Sequence, residues 1–318
     1  MRKAFIQLHI AVFLAGFTGV LGRLITLNEA LLVWYRLLIT CIVVWIIYGF
    51  MKKYSGVTRS PRHAATRSQI FKAAGIGFIL TLHWVTFYAG IKYATISTTL
   101  VCFSAIGFFT AILEPLLLQK RFDVVEILLG LLVIGGISIV FHFDPHYKTG
   151  IIISLISAFL ASIFPVLNRG LLQTMEVESA TRYQLSGGFL FLSLLLPFYL
   201  PLFPAAKLFP SLADWLWLLV LALICTVLAY TLFMNALKKI PAFTVNLTFN
   251  LEPIYGIALA FLIYREDKSV SGGFYYGLAL IVTAIVLQMI RLRQISRKQS
   301  SGSFGGNIAD QASLGHGQ

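Results

Sequence analysis

Apolar stretches of about twenty residues recur along the whole chain, and they constrain its fold more than any other feature. A helix needs about 20 consecutive apolar residues to cross the hydrocarbon core of a bilayer. Inside that core every backbone N–H and C=O group must be paired within the protein, which leaves helices or closed barrels. The stretches do not alternate apolar and polar residues over short strands, as barrel strands do. The sequence therefore predicts an all-α polytopic membrane protein.

We predict ten transmembrane spans joined mostly by short loops. Composition supports them, because 58% of the 318 residues are hydrophobic and 12% are charged, whereas about a quarter of the residues in a soluble domain are charged. The residues from Gln299 onward are rich in Gly, Ser and Gln, and they predict a disordered cytoplasmic tail over 293–318. The spans, numbered in chain order, cover residues 5–21, 31–50, 70–90, 95–118, 124–141, 150–166, 183–203, 212–237, 242–264 and 273–290.

Lysine and arginine residues indicate which way the spans run, because cytoplasmic loops are enriched in them. If the N-terminus lies inside, 18 of these 25 residues lie on the inner side and 6 on the outer side, and Arg36 lies within span 2. Both termini are therefore expected in the cytoplasm, with the chain in the cytoplasmic (inner) membrane of a bacterium. This distribution accounts for the net charge of +13 and favours no nucleic acid as a partner.

The second half of the chain repeats the first at an offset of about 147 residues. At this offset Gly130 matches Gly277 and Lys92 matches Lys239, and at 146 Arg36 matches Arg182. Each half, 1–147 and 148–292, has five spans, so the second half enters the bilayer from the opposite side. Inverted repeats of this kind are typical of secondary transporters, which bind their solute near the midplane between the halves.

Several segments resemble the drug/metabolite transporter superfamily, specifically its EamA-type members with ten helices in a five-plus-five arrangement. They are residues 83–94, residues 236–242, Leu251-Glu252-Pro253, residues 264–267 and Gly277. The resemblance implies secondary transport of a small metabolite, often export, with spans 1 to 4 and 6 to 9 around a cavity and spans 5 and 10 peripheral. In the first half, Gln119 and Lys120 stand where the family often has the acidic residue that Glu266 matches.

Glu252 is the strongest candidate for a transport residue, because ionisable groups inside a membrane are costly and often functional. It lies about ten residues into span 9, near the midplane, whereas Glu114 lies close to the cytoplasmic end of span 4. Pro253 removes a backbone donor and is a candidate helix hinge that frees carbonyl groups around a substrate or proton site. The alternative is a structural kink with a neutral or hydrogen-bonded Glu252.

Two further groups are candidates for substrate binding. Asn246 and Asn250 are one helical turn apart on span 9, with Tyr255 on the same span. On span 3, His83, Trp84 and Tyr88 belong to an aromatic stripe with polar tips. Hydrogen bonds between helices explain the amides equally well, and ordinary packing explains the stripe.

Arg36 has two interpretations. It binds an anionic group or pairs with an acid inside the protein, or its side chain reaches to the membrane interface by snorkelling. In either arrangement the guanidinium would not be left unpaired in the hydrocarbon core.

Small residues recur four apart in spans 1 and 6, which allows helices to approach closely. We therefore expect these two spans to cross near the pseudo-twofold axis. The residues are Ala11, Ala15 and Gly19 in span 1 and Ser154, Ala158 and Ser162 in span 6.

The sequence predicts a multi-pass permease for a small organic metabolite such as an amino acid, driven by a gradient and working by alternating access. It has no Walker A loop and no His-Glu-x-x-His motif, so we expect no enzyme activity, no cofactor and no metal. The expected partners are the small-molecule substrate and the lipid bilayer, and a homodimer is left open. The alternatives are a lipid-linked or nucleotide-linked sugar translocase, a membrane sensor and an intramembrane enzyme.

Overall fold

The computed structural model describes residues 2–54, 65–119, 121–143, 145–240, 245, 248–249 and 251–313. In this part of the chain every regular element is a helix. A π-helical turn, Leu223–Leu228, joins α9 to α10. The α-helices are α1 Arg2–Leu24, α2 Glu29–Tyr54, α3 Arg67–Tyr93, α4 Ile96–Phe103, α5 Ile106–Leu118, α6 Val124–Phe143, α7 Lys148–Leu171, α8 Val177–Leu202, α9 Leu212–Ala222, α10 Ala229–Leu237, α11 Glu252–Tyr264 and α12 Gly272–Ser313.

The predicted all-α polytopic fold is confirmed. Within the described residues, nine helical segments are long and apolar enough to cross a bilayer, and α11 is a shorter apolar helix. Span 9, predicted over residues 242–264, lies partly outside the described residues and ends in α11. The outer surface carries large exposed apolar side chains, such as Leu194 and Phe198 on α8, as a lipid-facing surface must.

Spans 4 and 9 are both interrupted near their middle. Ser104 and Ala105 form a turn between α4 and α5, and Leu251 forms a turn before α11. In each turn a backbone N–H returns to the carbonyl three residues earlier, which tightens the chain. Pro253 also has no N–H with which to continue the helical ladder. Ser104 and Leu251 are 147 residues apart, so the interruptions lie at matched positions of the two repeats.

The helices of the two halves pack against one another reciprocally. In one direction α3 of the first half packs against α7 and α8 of the second half, and in the other α10 packs against α1 and α9 packs against α2. Likewise α5 packs against α7, and α11 packs against α1. Such reciprocal contacts are what a twofold relation between two similar units requires.

Helices α6 and α12 pack together at the edge of the bundle. Gly136 and Gly277 let their backbones meet, because a Cβ atom on Gly277 would lie 2.5 Å from the Gly136 carbonyl oxygen. Just outside the membrane, Arg291 donates a hydrogen bond to Asp123. Partial burial opposes ionisation of Asp123, but the hydrogen bonds from Arg291 and from the backbone N–H groups of Glu126 and Val125, together with the charge of Arg291, outweigh it. The pKa of Asp123 therefore lies below its ordinary value.

The expected crossing of spans 1 and 6 is wrong. Their helices α1 and α7 have few contacts with each other. Gly19 of α1 faces Ile96 of α4, and Ser154 of α7 faces Gly90 of α3.

The last helix extends through residues for which composition predicted disorder. It is assigned as far as Ser313, and no proline occurs after Gly272 to interrupt it. The part that is apolar enough to cross the membrane is Gly272–Arg291.

Candidate functional site

A central cavity lies between the two halves, near the middle of the predicted spans. Its volume is about 130 Å³. The aromatic and apolar side chains that dominate its wall come from both repeats and surround a few polar groups. The lining residues are Ala11, Ala15, Thr18, Arg36, Leu80, His83, Trp84, Phe87, Tyr88, Phe103, Ile106, Ala161, Phe164, Pro165, Cys225, Ala229, Tyr230, Phe233, Phe249 and Glu252.

Arg36 on α2 supplies the positive charge in this wall. Its side chain is 2% exposed, so it does not snorkel to the interface. Its Nε donates a hydrogen bond to Thr226 Oγ1 at 2.7 Å, and its Nη1 donates to the Tyr88 hydroxyl at 2.9 Å. The guanidinium also lies 3.8 Å from the centre of the Trp84 ring. A desolvated cation–π contact of this kind contributes about 2 kcal/mol. The two hydroxyl groups and the Trp84 ring together take the place of water around the guanidinium.

Glu252 supplies a carboxyl group to the same cavity and is also buried. It is the first residue of α11 rather than a residue ten positions inside a continuous helix, because the chain turns at Leu251. The N-terminus of a helix favours negative charge. Arg36 also attracts this carboxyl group. The break in span 9 therefore places an acid where both a helix dipole and a buried cation act on it.

His83 lines the cavity and connects α3 to α7. The Ser157 hydroxyl donates to the His83 carbonyl at 3.1 Å, and it lies 2.8 Å from His83 Nδ1. Because a hydroxyl has one hydrogen, Nδ1 must be the donor in the second contact. The imidazole stacks on Phe103 with 5.5 Å between ring centres. These contacts fix the ring in the cavity wall.

A second polar chain leads away from the cavity behind Tyr230. The Tyr230 hydroxyl donates to Gln184 Oε1, and Gln184 Nε2 donates to Asn168 Oδ1 at 2.7 Å. Gln184 and Asn168 are fully buried. The chain links α10, α8 and α7, so it holds the tyrosine of the wall in one orientation.

Ion pairs and hydrogen bonds link the helices on the predicted outer side. Glu266 accepts hydrogen bonds from the backbone N–H groups of Ile96, at 3.1 Å, and Ser97, at 2.8 Å, and it pairs with Arg23. It therefore caps the N-terminus of α4 from another part of the chain, and we call Arg23, Glu266 and the first turn of α4 the outer clamp. Beside it, the Thr26 backbone N–H donates to Asp214 at 2.7 Å.

The structure brings together five of the residues singled out in the sequence. These are Arg36, His83, Trp84, Tyr88 and Glu252, all of which line the cavity. Their roles in substrate binding stay predictions.

The other predicted site residues lie elsewhere. Tyr255 packs against Phe13 of α1, with 5.7 Å between ring centres, and is not among the lining residues. Pro253 lies in the first turn of α11, beside the break. Asn246 and Asn250 lie outside the described residues.

Arg36 and Arg182 match in the sequence repeat, but only Arg36 lines the cavity. Arg182 on α8 stacks on Tyr48 at 3.5 Å and Trp45 at 4.7 Å, both on α2, and is absent from the cavity lining. Span 7 contributes no lining residue among those described, although the resemblance implied that it would. Its helix α8 packs instead against α2 and α3.

Sequence reasoning missed Thr226, Tyr230 and four lining phenylalanines, Phe103, Phe164, Phe233 and Phe249. Thr226 is an isolated hydroxyl in an apolar run, and its contact with Arg36 spans 190 residues. The π-helical turn that carries it shifts the phase of its helix, so helical periodicity does not reveal it. Among the described residues, no three His, Cys, Asp or Glu side chains lie close enough together to hold a metal ion.

Fold and cavity together define a polytopic membrane protein of the inverted-repeat type, with a charged cavity between its repeats. The model of the EamA-like transporter family matches the chain twice, over residues 2–142 and 148–290. The chain belongs to the EamA-like transporter family and is a membrane transporter.

The chain is also similar to two other proteins. An uncharacterized transporter of Bacillus subtilis (strain 168), YetK, is 23% identical over 308 residues, which cover 92% of this chain and 88% of YetK. A solved crystal structure, 17% identical in sequence, aligns over 91% of this chain and 98% of its own with a TM-score of 0.61. That likeness shows the shared fold.

Proposed function

We propose that this protein is a secondary transporter that moves a small organic solute, such as an amino acid, through the central cavity. One observation carries the proposal: a basic residue, Arg36, and an acidic residue, Glu252, line one cavity walled by aromatic rings from both repeats. Buried charges in a membrane protein commonly mark a solute or ion pathway. The proposed setting is a bacterial cytoplasmic membrane, where the lipid bilayer surrounds the helices.

The cavity's size and chemistry support a small zwitterion as the solute. Its volume of about 130 Å³ is close to that of an engineered cavity of about 150 Å³ that holds benzene. Arginine binds carboxylates well because its fork of N–H groups matches their geometry. Aromatic faces suit an ammonium group, and the carbonyl oxygen of a protonated Glu252 can accept a hydrogen bond from it. A lipid-linked or nucleotide-linked sugar is far larger than this volume, so we favour the amino-acid-like solute.

The arrangement of the halves supports alternating access as the mechanism. The outer clamp closes the predicted outer side, and each repeat contributes one wall of the cavity. Rocking of one repeat against the other would open the outer clamp and expose the same cavity to the other side. The interrupted spans 4 and 9 place helix ends beside the cavity, where a small rotation changes its lining.

Glu252 supports coupling to a proton gradient. A carboxyl group takes up and releases a proton, and this one lies at a helix break within the cavity. When it is ionised it pairs electrostatically with Arg36, and when it is protonated Arg36 is left for the solute carboxylate. Proton binding and solute binding would thereby be linked at one site.

A counterflow experiment tests the proposal. The purified protein is reconstituted into liposomes loaded with one unlabelled amino acid, purine or sugar, and uptake of the same labelled compound is followed. We expect an amino acid to accumulate above the level in protein-free liposomes. Losing one partner of a buried charged interaction costs about 2–5 kcal/mol, so Arg36→Gln should reduce exchange by at least about tenfold.

Tyr255→Phe is the matched control, because this tyrosine lies on α11 three residues after Glu252 but outside the cavity lining. It should exchange solute at the wild-type rate. If none of the compounds accumulates while circular dichroism shows intact helices, the proposed function is wrong.

A further inference from the structure

The wall of the cavity beside Arg36 is a π-helical turn, Leu223–Leu228. Turns of this kind are rare and occur frequently at functional sites. Inside it, the Thr226 hydroxyl donates to the Leu221 carbonyl, five residues earlier, at 2.8 Å. Thr226 is fully buried. The single hydrogen of this hydroxyl is therefore committed to the backbone of its own helix.

Because that hydrogen is committed, the hydroxyl can only accept from Arg36, and it does so from Nε at 2.7 Å. The Tyr88 hydroxyl accepts from Nη1, and the Trp84 ring covers the guanidinium face. These three contacts act on different parts of the group, so they fix its plane and its rotation within that plane. Among the described residues Nε and Nη1 have acceptors and Nη2 has none.

We infer that Thr226 is a positioning residue, which holds Arg36 so that its Nη2 edge is presented to the carboxylate of the solute. The inference rests on the proposed function and identifies one half of the solute site. A guanidinium that is held in place before binding loses less conformational freedom when the carboxylate arrives. Without Thr226, Arg36 would keep its charge but lose its fixed direction.

The test observes Arg36 directly and needs no transport. Protein labelled with ¹⁵N at arginine Nε is placed in nanodiscs, and the Arg36 signal is assigned by its loss in Arg36→Lys. Thr226→Val removes the hydroxyl at nearly constant shape, and Thr226→Ser retains it. We expect hydrogen exchange at Arg36 Nε to be at least about tenfold faster with valine and close to the wild-type rate with serine.

The same samples are then titrated with sodium isobutyrate, a small carboxylate, and with isobutyramide, its uncharged counterpart. Isobutyrate should shift the Arg36 signal, with an affinity about 2- to 10-fold weaker in Thr226→Val. Isobutyramide should leave the signal in place.

Two further variants keep the result unambiguous. Thr231→Val is the matched control. Among the described residues, the Thr231 hydroxyl donates to the Val227 carbonyl, four residues earlier, and has no contact with Arg36. Tyr88→Phe removes the acceptor of Nη1 and leaves the π-helical turn intact, so it should also weaken isobutyrate binding. It replaces Thr226→Val in the test if the valine variant does not fold.

Unchanged exchange at Nε and unchanged isobutyrate affinity in Thr226→Val would overturn the inference. Its outcome is separable from that of the proposed function. Isobutyrate binding at Arg36 without solute counterflow would contradict transport but support the positioning role. Solute counterflow with no response of the Arg36 signal to isobutyrate would support transport but contradict the positioning role.

Discussion

At the scale of single residues, two opposite charges are kept inside an apolar cavity by different means. Arg36 has two hydrogen-bond acceptors and an aromatic face, and all three lie within the protein. Glu252 sits at a helix N-terminus and is attracted by Arg36. The arginine is thus held rigidly, whereas the charge of the carboxyl group depends on its proton. This difference suggests that Glu252 is the group that changes state during transport.

Replacing Glu252 by glutamine tests this role. Glutamine has nearly the shape of a protonated glutamate at every pH, so the pH dependence of solute uptake should disappear in Glu252→Gln. Initial uptake rates in liposomes over a series of pH values provide the measurement.

Glu114→Gln is the control for that measurement. Glu114 belongs to an identical Leu-Glu-Pro triplet but is not among the residues that line the cavity. It should retain the wild-type pH profile. A Glu252→Gln variant with that same profile would remove Glu252 from the coupling mechanism.

The sequence predicted five of the cavity residues because their types are unusual inside a membrane. Charged and polar aromatic groups such as Arg36, Glu252 and His83 are recognisable without a structure. Thr226 and Gln184 are not, because hydroxyl and amide groups are common in membrane helices and their roles depend on residues far away in the chain. Tyr255 shows the opposite error, since sharing a helix with Glu252 does not place a residue on the same face.

At the scale of helices, the two repeats differ at their ends although their interruptions match. The outer end of α4 is capped by Glu266, which is 2% exposed and accepts two backbone N–H groups. The matching position in the first repeat is Gln119, which has no carboxylate. The first repeat therefore has no acidic residue that could form a matching clamp at position 119. This difference between the repeats favours closure of the predicted outer side.

Glu266→Gln should loosen the first turn of α4. Arg23 is 43% exposed in its side chain, so it can turn to water, and the main loss is the helix cap, worth about 1 kcal/mol. Hydrogen–deuterium exchange at Ile96 and Ser97 should accelerate roughly fivefold, as measured by mass spectrometry on peptides from this region.

Asp267→Asn is the comparison for that experiment, because Asp267 follows directly but, among the described residues, pairs with Arg265 rather than with α4. It should leave exchange in α4 unchanged. Equal exchange at α4 in the two variants would mean that Glu266 does not hold the outer clamp.

Hydropathy predicted where the spans lie but not where they break. The nearest proline to the turn at Ser104 and Ala105 is Pro115, ten residues further on, so nothing local marks the turn. Pro253 did mark the matching break in span 9, yet it lies within the first turn of α11 rather than at a bend in a continuous helix. Such interruptions depend on packing between the repeats, which a single sequence does not display.

At the scale of the whole molecule, the inverted repeat explains why the cavity lies where it does. Reciprocal packing of α3 with α7 and of α10 with α1 leaves space between the halves, and both repeats line that space. The repeat could be predicted from the matched residues and the odd number of spans. The two repeats differ at Arg36, at Glu252 and at the outer clamp. These differences give the cavity its ionisable groups and favour closure of its predicted outer side.

We propose that this cavity is exposed to each side of the membrane in turn, and Cys225 provides a native probe of that exposure. Cys225 lines the cavity, whereas Cys102 is fully buried outside its lining. With Cys41 and Cys102 replaced by serine and alanine, the protein is reconstituted in one orientation, and a membrane-impermeant thiol reagent is added to one side at a time.

We predict that Cys225 reacts from both sides and that saturating a transported amino acid slows both reactions. A variant that retains only Cys102 should stay unmodified. If Cys225 reacts from one side alone under every condition, or from neither side in the folded protein, the cavity is not alternately exposed and the account is contradicted.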